Sequence, residues 1–174
     1  DAKIKAVEQL ILDGRCDRMK TAADELLKLN LPESQANRAS ALFDLADLAT
    51  YFRGGIIRGL GTLNTGNTFE YVKDVPVIVV QATDQSLDIR LNRRTYSYQV
   101  DEIPPRLAEK LASFSLNLAK PDTVAGLALY RLISKDIDLE YKKDAFEKLR
   151  EVDGQLSQVD TEMLLKVAEE LFPL

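Results

Sequence analysis

The chain has 174 residues, of which 45% are hydrophobic and 29% charged, values typical of a folded globular protein. It contains no histidine and a single cysteine, Cys16, so it cannot assemble a Ser-His-Asp or Cys-His catalytic arrangement or a zinc site built from Cys and His ligands. Its formal net charge of −5 argues against general nucleic-acid binding, which needs an excess of Lys and Arg. We therefore expect no enzymatic activity, no cofactor, no metal site and no nucleic-acid partner.

The first part of the chain carries apolar residues at spacings of three and four, which predicts helices. Residues 2–13 and 16–29 are predicted to form a helical hairpin, in which Cys16 is a small core residue. Ser34 is the predicted N-cap of a longer helix over about 35–63. This helix contains a cluster of glycines, where we expect strain or the close approach of another backbone: Gly54, Gly55, Gly59 and Gly61.

After this helix the apolar period changes from 3.6 to 2, which predicts a small antiparallel β-meander of three to four strands. The strand around residues 77–82 is apolar on both faces, so we expect it to be central or covered on both sides. With Asp84-Gln85 as the turn that follows, the predicted partners are Ala82 with Leu87, Val80 with Ile89 and Ile78 with Leu91.

The next hairpin is predicted to turn at the two residues Asn92-Arg93. This turn pairs Leu91 with Arg94, Ile89 with Tyr96 and Leu87 with Tyr98. The apolar residues of both strands then lie on one face, and their other face is polar.

The last part of the chain is again predicted to be helical, with helices after Pro105, from Pro121 to about Ser134, and over about 139–152 and 160–172. The sequence therefore predicts a mostly helical α+β fold. Its parts are an N-terminal helical segment (1–64), the β-meander (65–103) and a C-terminal helical segment (104–174), packed as one unit.

Two groups of residues are candidates for binding. The glycine cluster lacks the Gly-Lys-Ser/Thr ending of a phosphate-binding P-loop, and Asn64 stands where a dinucleotide fingerprint has its third glycine. A structural role is therefore favoured there, and anion binding assisted by Arg53 and Arg58 is the alternative.

The second group lies near the hairpin tip and the following helix start, where arginines are interleaved with Tyr96 and Tyr98. Such a pattern can bind single-stranded nucleic acid, but both tyrosines share the predicted core face, so solvated loop charges are the favoured interpretation. Together the two groups define a candidate interaction surface: Arg53, Arg58, Gly59, Arg90, Arg93, Arg94 and Arg106.

The stretch from about Phe52 to Leu111 resembles a family of uncharacterised proteins from planctomycete bacteria. The similarity is carried by Phe52, Gly59-Leu60, Gly66, the Val77–Val80 strand, Leu87–Leu91 and the run from Tyr98 to Ala108. The meander also resembles small SH3-like barrels attached to other proteins of those bacteria, although the chain lacks the tryptophan of a peptide-binding SH3 groove. This resemblance implies a fold and carries no functional residue.

These observations favour a non-enzymatic protein-interaction or scaffold module that binds a protein partner or another copy of the chain. The alternative is a small-ligand or anion-binding protein with a pocket between the sheet and the glycine-rich helix. The sequence has no apolar run long enough to cross a membrane, so we expect a soluble protein. Because the chain begins at Asp1 rather than Met, export after removal of a signal segment is one interpretation, and a trimmed form is the other.

Overall fold

The structure, a computed structural model, describes residues 1–174 and consists of seven α-helices and one four-stranded antiparallel sheet. It confirms the mostly helical α+β fold predicted from the sequence. The helices are α1 (Ala2–Leu12), α2 (Met19–Leu27), α3 (Glu33–Gly61), α4 (Pro105–Ala112), α5 (Pro121–Ile133), α6 (Leu139–Glu151) and α7 (Thr161–Leu171). The strands are β1 (Thr68–Val72), β2 (Val75–Ala82), β3 (Ser86–Leu91) and β4 (Arg94–Gln99).

The chain divides into two units. The helical unit comprises residues 1–52 and 118–174, and the sheet unit comprises residues 53–117. The division falls within α3, between Phe52 and Arg53, whereas the segments predicted from the sequence follow the changes of apolar period.

Local sequence explains where several helices of the helical unit begin. Asp1, Asp138 and Asp160 are N-caps of α1, α6 and α7, and each carboxylate accepts a hydrogen bond from a backbone N–H of the first turn. The predicted N-cap at Ser34 is wrong, because α3 begins one residue earlier and the N–H of Ala36 already donates to the carbonyl of Pro32.

The core of the helical unit is apolar, but it also holds a buried cation. Cys16 is buried, as predicted, and its thiol is not part of a disulfide. Arg131 is only 4% exposed. Its guanidinium lies over the ring of Tyr141 at 3.6 Å from the ring centroid and donates a hydrogen bond to the Asp144 carboxylate at 2.7 Å. The Arg131 guanidinium holds the pKa of the Asp144 carboxyl below its usual value.

The sheet is a simple meander in which neighbours along the chain are neighbours in space, so β1 and β4 are its edges. The predicted two-residue turn at Asn92-Arg93 is confirmed, because Leu91 pairs with Arg94 and the rest of the β3–β4 register follows as predicted. We call the face that carries Leu87 and Ile89 the inner face, and the opposite face the outer face.

The predicted register between β2 and β3 is only partly right. Ala82 pairs with Leu87 as predicted, but Ile89 pairs with Val79 and not with Val80. Val80 is the extra residue of a β-bulge, and the bulge shifts the preceding part of β2 by one residue. The strand lies in the interior of the sheet but is not covered on both sides, because Val77 and Val79 face the core and Ile78 does not.

The glycine cluster of α3 permits close packing within the sheet unit, as expected. A β-carbon at Gly59 would overlap the backbone carbonyl of Leu111, and one at Gly55 would overlap the side chain of Leu116. The hydroxyl of Ser115 donates to the carbonyl of Gly55 at 2.6 Å, which ties the segment after α4 to the same stretch of helix. These glycines therefore serve packing.

Candidate interaction surface

The outer face of the sheet exposes large apolar side chains near its centre. Ile78 is 45% exposed and Pro76, two residues before it on the same face, is exposed as well, and Val80, the bulge residue that follows the buried Val79, is 37% exposed. The solvated face of an antiparallel sheet normally carries polar residues, so a group of apolar side chains at its centre is a candidate binding surface. We call these three exposed residues the apolar stripe.

Polar residues surround the apolar stripe on the neighbouring strands. Ile78 pairs with Thr68 on β1 and with Arg90 on β3, and Arg90 in turn pairs with Thr95. Further from the hairpin turn, the outer face carries Asp88, which pairs with Ser97. An apolar centre with a polar rim is the usual composition of a protein-interaction surface.

Three of the predicted candidates meet at the tip of the β3–β4 hairpin. Arg90, Arg93 and Arg94 are all exposed, and none of their side chains forms an ion pair or a hydrogen bond. Asn92 and Arg93 have φ values of 51° and 67°, so both central residues of the turn adopt the left-handed conformation of a type I′ turn. We call the three arginines the arginine tip.

The other four candidates do not join the arginine tip. Arg53 donates two hydrogen bonds to the carboxylate of Asp101, at 2.7 and 3.0 Å, so its charge is balanced. Gly59 packs against Leu111, and Arg58 is exposed on α3. Arg106 is on α4 and lies near Tyr71 of β1.

The inner face carries a group of partly buried tyrosines. The rings of Tyr96 and Tyr98 lie nearly parallel with their centroids 6.4 Å apart, and both share the face of Leu87 and Ile89, as the sequence predicts. Burial raises the pKa of Tyr98 and of Tyr71, although Arg106 acts on the Tyr71 hydroxyl in the opposite direction. The tyrosines and Arg90 therefore lie on opposite faces of the sheet.

A pocket of about 520 Å³ lies between the C-terminal end of α3 and β1. Its lining residues are neutral, and the rings of Phe69 and Phe114 meet there edge to face at 5.3 Å between centroids: Thr62, Leu63, Gly66, Asn67, Thr68, Phe69 and Phe114. The alternative prediction from the sequence is a pocket between the sheet and the glycine-rich helix, but neither Arg53 nor Arg58 lines this one.

One carboxylate that the sequence did not single out has a perturbed pKa. Burial on α3, reinforced by the charges of Asp47 and Asp160, raises the pKa of Asp44 to about 6. Asp47 forms an ion pair with Lys20 at 2.9 Å, and Asp160 caps α7. Asp44 and Asp47 are neighbours because they lie three residues apart on α3, but only the tertiary packing buries Asp44 and brings Asp160 to it, and the sequence gives no signal for that part.

No cluster of three or more His, Cys, Asp or Glu side chains in residues 1–174 is arranged to hold a metal ion. None of the helices combines the length and the apolar character needed to cross a membrane. Comparison of the chain with protein-family models, curated proteins and solved structures found no match, so the resemblance to the planctomycete family stays a prediction.

Proposed function

We propose that this protein is a non-enzymatic interaction module that binds a protein partner through the outer face of its sheet. The observation that carries the proposal is the apolar stripe, in which Ile78 and Val80 are exposed on an interior strand. Uncovered apolar surface in the middle of a sheet is favourable to bury, at about 25 cal/mol per Å² removed from water.

The glycine-bearing stretch of α3 is the other surface that the sequence suggested for binding. Gly55 and Gly59 already pack against Leu116 and Leu111 within the sheet unit, so this stretch is occupied. The outer face is therefore the better candidate. Because the stripe is small, we expect an interface at the lower end of the size range, typical of transient complexes.

The test uses the double variant Ile78→Ser/Val80→Ser, which removes the apolar side chains without adding charge. The matched control is Leu139→Ser, which changes a side chain that is 52% exposed on α6 in the helical unit. Affinity capture followed by mass spectrometry should recover a partner with the parent chain and with the control, and lose it with the double variant. Equal recovery with all three proteins would contradict the proposal.

A second copy of the chain is one form that the partner can take. Light scattering coupled to size exclusion, over a range of concentrations, measures this directly. A dimer that the double variant abolishes would identify self-association through the outer face. A dimer that persists in the double variant would assign that contact to another surface.

The pocket beside α3 supports binding of a small ligand as a second candidate function. The pocket is wide open to solvent, which suits a weakly held ligand, and it combines two aromatic rings with a few polar groups. It lies at the C-terminal end of α3, where the helix dipole is negative and disfavours anions, so we expect a neutral or cationic ligand. A fragment screen by NMR tests this, with Thr68→Trp to fill the pocket and Val72→Trp, on the same strand but outside the lining, as the control.

A further inference from the structure

The arginine tip differs from most other arginines of the chain, because those arginines form ion pairs with carboxylates. Six arginines lie within ion-pair distance of a carboxylate: Arg15, Arg18, Arg38, Arg53, Arg131 and Arg150. The three arginines of the tip have no such partner, although the chain carries an excess of acidic residues. An uncompensated positive cluster on an acidic protein attracts negatively charged binding partners.

The backbone at Arg93 is strained. The second position of a type I′ turn strongly favours glycine, because a side chain crowds the backbone when φ is positive. Arg93 has a φ of 67° there, so the chain keeps an arginine where glycine would be more stable. Strain of this kind is concentrated at functional sites.

The arginine tip meets the apolar stripe through Arg90, which is the direct cross-strand partner of Ile78. Arg93 follows at the turn of the same hairpin, whereas Arg94 pairs with Leu91 and so begins β4 on the inner face. Two carboxylates lie on the outer face, Asp88, which is two residues from Arg90 and further from the turn, and Glu70, which is the cross-strand partner of Pro76. A ligand lying along the outer face therefore meets apolar side chains and guanidinium groups together.

We infer that the partner binds through an acidic segment with interspersed apolar side chains, whose carboxylates pair with Arg90 and Arg93 and whose apolar residues cover Ile78 and Val80. This inference rests on the proposed function and specifies the chemistry of the partner. A protein segment fits better than a single-stranded nucleic acid, because Tyr96 and Tyr98 lie on the opposite face and offer no stacking surface beside Arg90. Guanidinium groups form paired hydrogen bonds with carboxylates.

The experiment measures fluorescence anisotropy with a labelled peptide of alternating Glu and Val residues. The key variant is Arg93→Gly, and the matched control is Asn92→Gly, which changes the same turn but keeps all three arginines. We expect Arg93→Gly to raise the melting temperature by about 2–4 °C and to weaken peptide binding about fivefold. Asn92→Gly should bind the peptide like the parent chain.

The outcomes separate this inference from the proposed function. Equal peptide binding by the parent and Arg93→Gly, or equal binding of a peptide with Lys in place of Glu, would overturn the inference. Tighter binding of an oligothymidine than of the acidic peptide, lost in Arg93→Gly, would assign the tip to nucleic acid and overturn it as well. If the acidic peptide does not bind but a captured partner is still lost in Ile78→Ser/Val80→Ser, the inference fails and the proposed function stands.

Discussion

Gly59 of α3 lies directly against the backbone carbonyl of Leu111, with no room for a β-carbon between them. A backbone carbonyl cannot rotate away as the end of a side chain can, so α3 and the end of α4 must separate if position 59 gains a methyl group. We expect Gly59→Ala to lower the free energy of unfolding by about 2 kcal/mol. Urea unfolding followed by circular dichroism measures this change.

The control for this substitution lies two residues further along the same helix. Gly61 has open space where its β-carbon would be, and its φ is not in the left-handed region. Gly61→Ala should leave the protein as stable as the parent or raise the free energy of unfolding by up to about 1 kcal/mol. Equal destabilisation by both substitutions would show that the packing at Gly59 is not the cause.

Because of the bulge in β2, we expect substitutions at two adjacent residues to change the stability of the protein by different amounts. Ile78 is exposed and Val79 is buried, so Ile78→Thr should change the free energy of unfolding by less than about 0.5 kcal/mol, and Val79→Thr should lower it by about 1–3 kcal/mol. Thermal unfolding of the two variants measures both effects. The register without a bulge predicts the reverse order.

Most of the fold could be predicted from the sequence, because the apolar period identifies every long helix and the turn at Asn92-Arg93 fixes one strand register. The register of β2 could not be predicted, because every residue from 75 to 80 is Val, Ile or Pro. With apolar residues at both odd and even positions, the sequence does not show which set faces the core. The sequence identifies which arginines could bind a partner, but which of them already pair with a carboxylate of the same chain depends on tertiary packing. Arg53 has a carboxylate partner in Asp101, which is far from it in the sequence, whereas Arg93 has none.

Asp44 predicts a specific dependence of stability on pH. Since its pKa is raised to about 6 in the folded state, the unprotonated carboxylate is disfavoured there, and its contribution to stability is fully present below about pH 4 and lost as the pH rises through 6. The full shift corresponds to about 3 kcal/mol, and partial exposure to solvent reduces this to about 1 kcal/mol. We expect Asp44→Asn to raise the free energy of unfolding by that amount at pH 7.

The same comparison at low pH provides the check. Near pH 4 the Asp44 carboxyl is protonated in the folded state, so Asp44→Asn and the parent should unfold at nearly the same denaturant concentration. Glu147→Gln, an exposed position on α6, is the control and should have no such dependence. A constant difference between Asp44→Asn and the parent from pH 4 to 7 would contradict the raised pKa.

Because Arg131 is buried, we expect its partner Asp144 to contribute more to the free energy of unfolding than an acid in an exposed ion pair would. Asp144→Ala removes the carboxylate from a guanidinium that is buried, and we expect the free energy of unfolding to fall by about 2 kcal/mol. In the double variant Arg131→Met/Asp144→Ala the buried guanidinium that has lost this carboxylate is gone as well, so this variant should be more stable than Asp144→Ala alone. Chemical denaturation of the parent, Arg131→Met, Asp144→Ala and the double variant measures the coupling.

Cys16 makes the opening of the helical unit measurable at a single atom. Because the chain has one thiol and that thiol is buried, a thiol reagent can react only when the surrounding helices open. The reaction rate under native conditions, divided by the rate for the unfolded chain, gives the population of open molecules. The protein thus carries its own reporter of local opening in the helical unit, while the sheet unit contributes no thiol to the signal.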